Sequence, residues 1–83
     1  MIRLIIKAID VKPLKNYELE VTFDNGEVRK FDVKPYLEFK AFKRIKDIEM
    51  FNTVRTDGLS IEWADGTDIC PYELYNNSYR MEK

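Results

Sequence analysis

Two stretches decide the fold: Leu19-Glu20-Val21-Thr22-Phe23-Asp24-Asn25-Gly26 and, 40 residues later, Leu59-Ser60-Ile61-Glu62-Trp63-Ala64-Asp65-Gly66. In each, apolar residues alternate with polar ones, an aromatic residue closes the run, and a turn follows whose glycine tolerates positive φ. A two-residue loop at Asn25-Gly26 would set Phe23 against Val28 and turn Phe31 away from its partners. A three-residue loop with Gly26 left-handed sets Phe23 against Glu27 and gathers Leu19, Val21, Phe23, Phe31 and Val33 on one face. The same loop in the second copy sets Ile61 against Ile69. The parity of the apolar residues therefore predicts two hairpins with similar bulged turns, Tyr17 to Val33 and Val54 to Ile69, with Phe23 and Trp63 in equivalent places.

Outward from the hairpins, Met1 to Lys12 alternates weakly and is rich in Ile, which predicts a first strand, and Pro13 to Asn16 carries turn chemistry. Between the hairpins the period lengthens to about 3.6. Pro35 suits the first turn of a helix, and Leu37, Ala41 and Ile45 recur at every fourth position with Phe42 beside them, an apolar stripe for Phe23 and Trp63 to pack on. Asp47 can cap a second short helix, with Glu49 in its first turn and Met50, Phe51 and Val54 inward. Pro71 opens a last helix, and Asn76-Asn77 stop it. The expected class is α+β: a small antiparallel sheet built from an N-terminal strand and two hairpins, with short helices on one face, in a single domain over 1–83.

A chain of 83 residues buries only about 60% of its unfolded surface, so its core is small. With 45% hydrophobic and 35% charged residues, it has the composition of a folded domain rather than a disordered segment. Arg3 and Lys7 interrupt the apolar start, which is also too short for a membrane span and lacks a small-residue cleavage site. The simplest expectation is a cytoplasmic protein without a membrane partner. A single cysteine, Cys70, agrees with a reducing compartment.

In order along the chain, Val11-Lys12-Pro13-Leu14, Val21-Thr22-Phe23 with Asp-Asn-Gly, Phe31-Asp32-Val33-Lys34-Pro35, Phe51-Asn52-Thr53-Val54-Arg55, Ile61-Glu62-Trp63 with Ala-Asp-Gly, and Pro71 with Leu74-Tyr75 form a series that resembles the bacterial domain of unknown function 2442 family, from about Ile9 to Tyr75. The resemblance implies a small protein without an established activity. It also implies a neighbour of the domain of unknown function 4160 type, in a toxin and antitoxin arrangement. Other members carry a helix-turn-helix segment, which this chain is too short to include. The family has an acidic or hydroxyl residue before the last helix's Pro and an acidic residue after it. Here those positions are Cys70 and Tyr72, which leaves Glu73 to supply the favourable charge.

The chain contains no histidine, which removes Ser-His and Cys-His nucleophile pairs and the commonest metal ligand and general base. Cys70, without a base or a second cysteine, reads as a half-buried small residue. Glu62, Asp65 and Asp68 do not match a calcium loop, and Asp is favoured in turns in any case. Gly26, Gly58 and Gly66 are isolated turn glycines, so no phosphate-cradling loop is present. The expectation is no catalytic residue, no metal and no cofactor.

Charge is the remaining signal. Lys30 to Lys46 holds six basic residues, Lys30, Lys34, Lys40, Lys43, Arg44 and Lys46, against Asp32 and Glu38, whereas Thr56 to Tyr79 has no Lys or Arg. Both segments are consistent with plain solvated faces. As a binding surface, Asp57, Glu62, Asp65, Asp68 and Glu73, with Tyr72 and Tyr75 as anchors and Tyr79 nearby, suit a basic protein partner or self-association. The alternative is nucleic acid on Lys34, Lys40, Lys43, Arg44 and Lys46, with Phe39 and Phe42 as stacking groups. A sequence pI near 5.4 argues against it, and both phenylalanines read as core.

Overall fold

The computed structural model describes residues 5–80. Strands β1 (Ala8–Pro13), β2 (Glu18–Phe23) and β3 (Val28–Asp32) form an antiparallel meander, and a short C-terminal strand β7 (Tyr79–Arg80) pairs with β3. A second antiparallel sheet holds β4 (Arg55–Thr56), β5 (Ile61–Glu62) and β6 (Asp68–Ile69) in that order. The class is α+β, with its strands shared between two sheets. They meet where the Ala8 N–H donates to the Leu59 carbonyl at 3.1 Å. The part of the expected first strand before residue 5 lies outside the described residues, and pairing within it begins at Ala8.

Both hairpins close as the apolar parity requires. The Phe23 N–H donates to the Glu27 carbonyl at 2.8 Å and the Gly26 N–H to the Phe23 carbonyl at 3.0 Å; Trp63, Thr67 and Gly66 repeat this at 2.8 and 2.9 Å. Gly26 and Gly66 sit at φ +90° and +93°, the left-handed residue of a three-residue loop. The likeness reaches the side chains: Asn25 Oδ1 accepts the Glu27 N–H and Asp65 Oδ1 accepts the Thr67 N–H, each at 3.0 Å. The repeat ends at Leu59. Leu19 is buried, but Leu59 is 46% exposed, because residues 58–60 bend into the β4–β5 turn instead of extending β5.

The connection between the sheets departs from α-helical geometry. It forms 3₁₀ turns over Lys34–Tyr36 and Lys40–Lys46, with N–H groups bonded three residues back, as in Phe42 to Phe39 and Asp47 to Arg44. Extended backbone at Phe39 separates the two turns. Leu37 and Ile45 are buried as expected, but Ala41 is exposed: with the helix broken at Phe39 and wound at three residues per turn beyond it, Phe42 and Ile45 share the inward line. Helix α1 (Ile48–Phe51) follows, and Asp47 caps it by accepting the Glu49 N–H at 3.1 Å. Helix α2 (Pro71–Asn76) starts at Pro71, and no side-chain bond from Cys70 caps it.

The core is continuous through both sheets and the connection. Trp63 stands edge-on to Phe42 with ring centroids 6.0 Å apart, whereas the Phe23 ring packs edge-on to Tyr75 of α2 at 5.0 Å. Trp63 thus meets the 3₁₀ segment as expected, and the ring partner of Phe23 is on the C-terminal helix instead.

Candidate functional site

A concavity lies between the end of β3, the first 3₁₀ turn and α2. It is a cleft of about 360 Å³ walled by Phe31, Pro35, Tyr36 and Phe39, with Asp32, Glu73 and Asn77 supplying polar groups. Pro35 and the tight turns bring Tyr36 and Phe39 together three residues apart, their rings perpendicular at 6.0 Å. Phe39 is 58% exposed, so the expectation that both phenylalanines serve the core holds for Phe42 alone. On the opposite wall, Glu73 and Asn77 are one turn apart on α2 and its end. The Tyr36 hydroxyl donates to Glu73 Oε2 at 2.7 Å and accepts from Asn77 Nδ2 at 3.1 Å. Burial, and then the hydrogen bond to Glu73, push the Tyr36 phenol above its ordinary value, with Asn77 acting in the opposite sense.

At the cleft's other end Asp32 is already engaged. Its Oδ1 accepts the Lys34 N–H at 2.9 Å and lies 3.0 Å from Lys34 Nζ, which also faces Glu18 at 3.6 Å. The bond to Asp32, ahead of the attraction of Asp32 and Glu18, raises the Lys34 ammonium above its usual range. Among the described residues Glu73 has no Lys or Arg within ion-pair distance.

The residues expected to form an acidic docking face are spread over several parts of the surface. Asp57 folds back on its own turn, where its Oδ1 accepts the Leu59 and Ser60 N–H groups at 3.0 and 2.7 Å. These bonds, Ser60's first, hold its carboxyl below the usual carboxylate range. Asp65 is bound to the other end of β5 by Thr67. Glu62 stands between Asp68 and Arg55 across the small sheet and pairs with Arg55 Nε at 2.8 Å, so a cation just outside the Lys-free stretch compensates it. Tyr72 is 52% exposed, but Tyr75 is half-buried and engaged. Arg29 lies 4.0 Å over its ring and donates to its hydroxyl at 3.0 Å, and that hydroxyl donates to Glu27 Oε2 at 3.0 Å. Tyr75 is therefore a brace between α2 and β3 rather than a free anchor. Cys70 is exposed, not half-buried, because it precedes α2 at the surface.

The basic residues are arranged more regularly. In the 3₁₀ segment, Lys40, Lys43 and Lys46 fall on one file, with about 6 Å of axial advance per turn, Phe42 and Ile45 form the buried file beside it, and Arg44 lies on the third. All four are exposed and have no carboxylate partner among the described residues. Lys34 stands apart from them, tied to Asp32 and Glu18.

No group of three or more metal-ligating side chains occurs among the described residues, and no helix there is long and apolar enough to cross a membrane. The family model described as protein of unknown function (DUF2442) matches residues 8–80. The chain belongs to the DUF2442 family. That match runs from the first paired residue of β1 to the last of β7, so the DUF2442 unit includes α2 and both walls of the cleft. No curated protein and no solved structure gives a significant match to this DUF2442 chain. Sequence reasoning missed the cleft because neither Phe39 nor Asn77 belongs to a motif. Tyr36, Phe39 and Phe42 at every third position were the available signal.

Proposed function

We propose that this chain is a non-catalytic protein-binding domain of the cytoplasm, the antitoxin-like partner of a small protein of the domain of unknown function 4160 type encoded beside it. One observation carries the reading: Phe39, more than half exposed, forms one wall of a preformed cleft whose other side is α2. A large aromatic side chain held in solvent by extended backbone, beside a concavity, is what interface hot spots look like before a partner covers them. The absence of histidine from the chain supports a binding role over a catalytic one. The test is to mix the purified chain with the adjacent gene's product and measure mass by light scattering. A complex of defined stoichiometry at about 10 μM is expected, and two separate species at that concentration overturn the reading. A dimer of this chain alone would point to self-association.

A second reading rests on the file of Lys40, Lys43 and Lys46 with Arg44 beside it. Basic side chains on one file of a 3₁₀ segment, without carboxylate partners among the described residues, suit a phosphodiester backbone. A gel shift of single-stranded DNA or RNA that weakens steeply with salt, and that is lost in Lys43→Ala with Lys46→Ala, supports nucleic-acid binding; no shift at low salt removes it.

A further inference from the structure

We propose that the cleft beside α2 is a receptor for an arginine side chain of a basic partner segment, an inference that names the partner's chemistry on the protein-binding reading given above. Charge complementarity selects the occupant. The cleft is bounded by aromatic rings and by two carboxylates; the Lys34 ammonium already compensates Asp32, but no cation pairs with Glu73 among the described residues. An aromatic enclosure with one uncompensated carboxylate favours a cation and disfavours an anion or a neutral apolar chain.

Geometry narrows the cation to a guanidinium. Tyr36 and Phe39 meet at 89°, so their rings form a corner into which a flat group slides with one ring at its face and the other at its edge. Glu73 keeps Oε2 on the Tyr36 hydroxyl, leaving Oε1 to accept from the incoming group, and Asn77 fixes Tyr36 from the other side. A guanidinium is planar, weakly hydrated and able to stack while it donates to a carboxylate in its own plane. A lysine ammonium is compact and strongly hydrated, and gains less from this corner. The Glu73 and Asn77 bonds hold the hydroxyl end of Tyr36 and the Phe31 and Phe42 rings flank its ring, so the corner is formed before binding.

The experiment titrates acetyl-Gly-Arg-Gly-amide, up to about 20 mM, into the full ¹⁵N-labelled chain and follows amide shifts. Saturable shifts at Tyr36, Phe39, Glu73 and Asn77 are expected, with none from the peptide carrying uncharged citrulline in place of arginine. Phe39→Ala and Glu73→Gln should each weaken binding by about three- to tenfold. Both residues are exposed, and a well-dispersed spectrum of each variant shows that the fold survives. Absence of saturation, equal shifts from the citrulline peptide, or undiminished binding in both variants overturns the proposal. The adjacent gene's product separates this proposal from the broader reading. If it binds wild type and both variants equally, protein binding stands and the arginine cleft falls. If the arginine peptide saturates the cleft while no complex forms with that protein, the cleft stands and the neighbour is not its partner.

Discussion

The indole Nε1 of Trp63 donates to the main-chain carbonyl of Phe51 across 3.0 Å in the protein interior. This bond joins the second hairpin to the end of α1 and gives the buried indole N–H its partner, at a carbonyl that also accepts the Val54 N–H at 3.4 Å. Tyr17 packs edge-on to the Phe51 ring at 5.2 Å and donates its hydroxyl to the Lys46 carbonyl, so the β1–β2 turn bears on the same place.

Trp63 is 1% exposed and fills the centre of this junction. Trp63→Ala should cost about 3 to 5 kcal/mol, most of what so small a domain has, and leave the chain largely unfolded at room temperature. Trp63→Phe keeps a ring but removes the indole N–H; the Phe51 carbonyl retains the Val54 N–H at 3.4 Å, so the loss should be about 1 kcal/mol or more, from the bond and the smaller ring. Urea unfolding measures both, and strong acrylamide quenching of native Trp63 would contradict its burial.

Gly26 and Gly66 offer a clean test of backbone strain. A Cβ at either position meets nothing within 4 Å, so Gly26→Ala and Gly66→Ala should be destabilising only because φ is positive, by about 1 kcal/mol each. The two losses should add in the double variant, since the turns share no partner. Unchanged melting temperatures in both single variants would contradict the bulged-turn assignment.

The acidic residues around the small sheet should differ in structural weight. Asp57→Ala removes the acceptor of two turn N–H groups and should cost about 1 kcal/mol or more. Asp65→Ala should cost less, because one N–H loses its acceptor, and Asp68→Ala should stay within about 0.5 kcal/mol. Equal midpoints for Asp57→Ala and Asp68→Ala would show that the turn bonds do not matter.

Stability should fall at both ends of the pH range. The Arg29 guanidinium, then the Tyr75 hydroxyl, hold the Glu27 carboxyl below its usual range, and the turn N–H groups do the same for Asp57. The unfolded chain therefore takes up these protons at higher pH than the folded one. This stability is complete above the ordinary carboxylate range and is lost as pH falls below about 4 through the lowered folded values. Lys34 and Tyr36 are shifted upward, so their contribution is complete below about pH 10 and lost as pH rises through the raised folded values. Melting temperatures across pH should show both limbs, and Glu27→Gln should flatten the acid one. Phenolate absorbance should show a tyrosine that ionises above the ordinary phenol range, and Tyr36→Phe should remove that component.

The hairpins were legible in the chain because what fixes them is local. Alternation assigns Leu19, Val21, Phe23 and Phe31 to one face, and a glycine three places after an aromatic residue sets the bulge and with it the register. The cap from Asp47 and the start at Pro71 were readable for the same reason. The winding of the 34–46 segment was not, since Leu37, Ala41 and Ile45 also fit an α-helix, and only packing against Trp63 and the sheets selects the break that exposes Phe39 and the three-residue period beyond it that exposes Ala41. Strand β7 was equally hidden, because two residues carry no period and Tyr79 lies beside Lys30 through long-range contacts, among them the Arg29 bonds to the carbonyls of Tyr75 and Ser78. The cleft follows the same rule. Tyr36 meets Glu73 and Asn77 across 37 and 41 residues, a distance that only the tertiary fold closes.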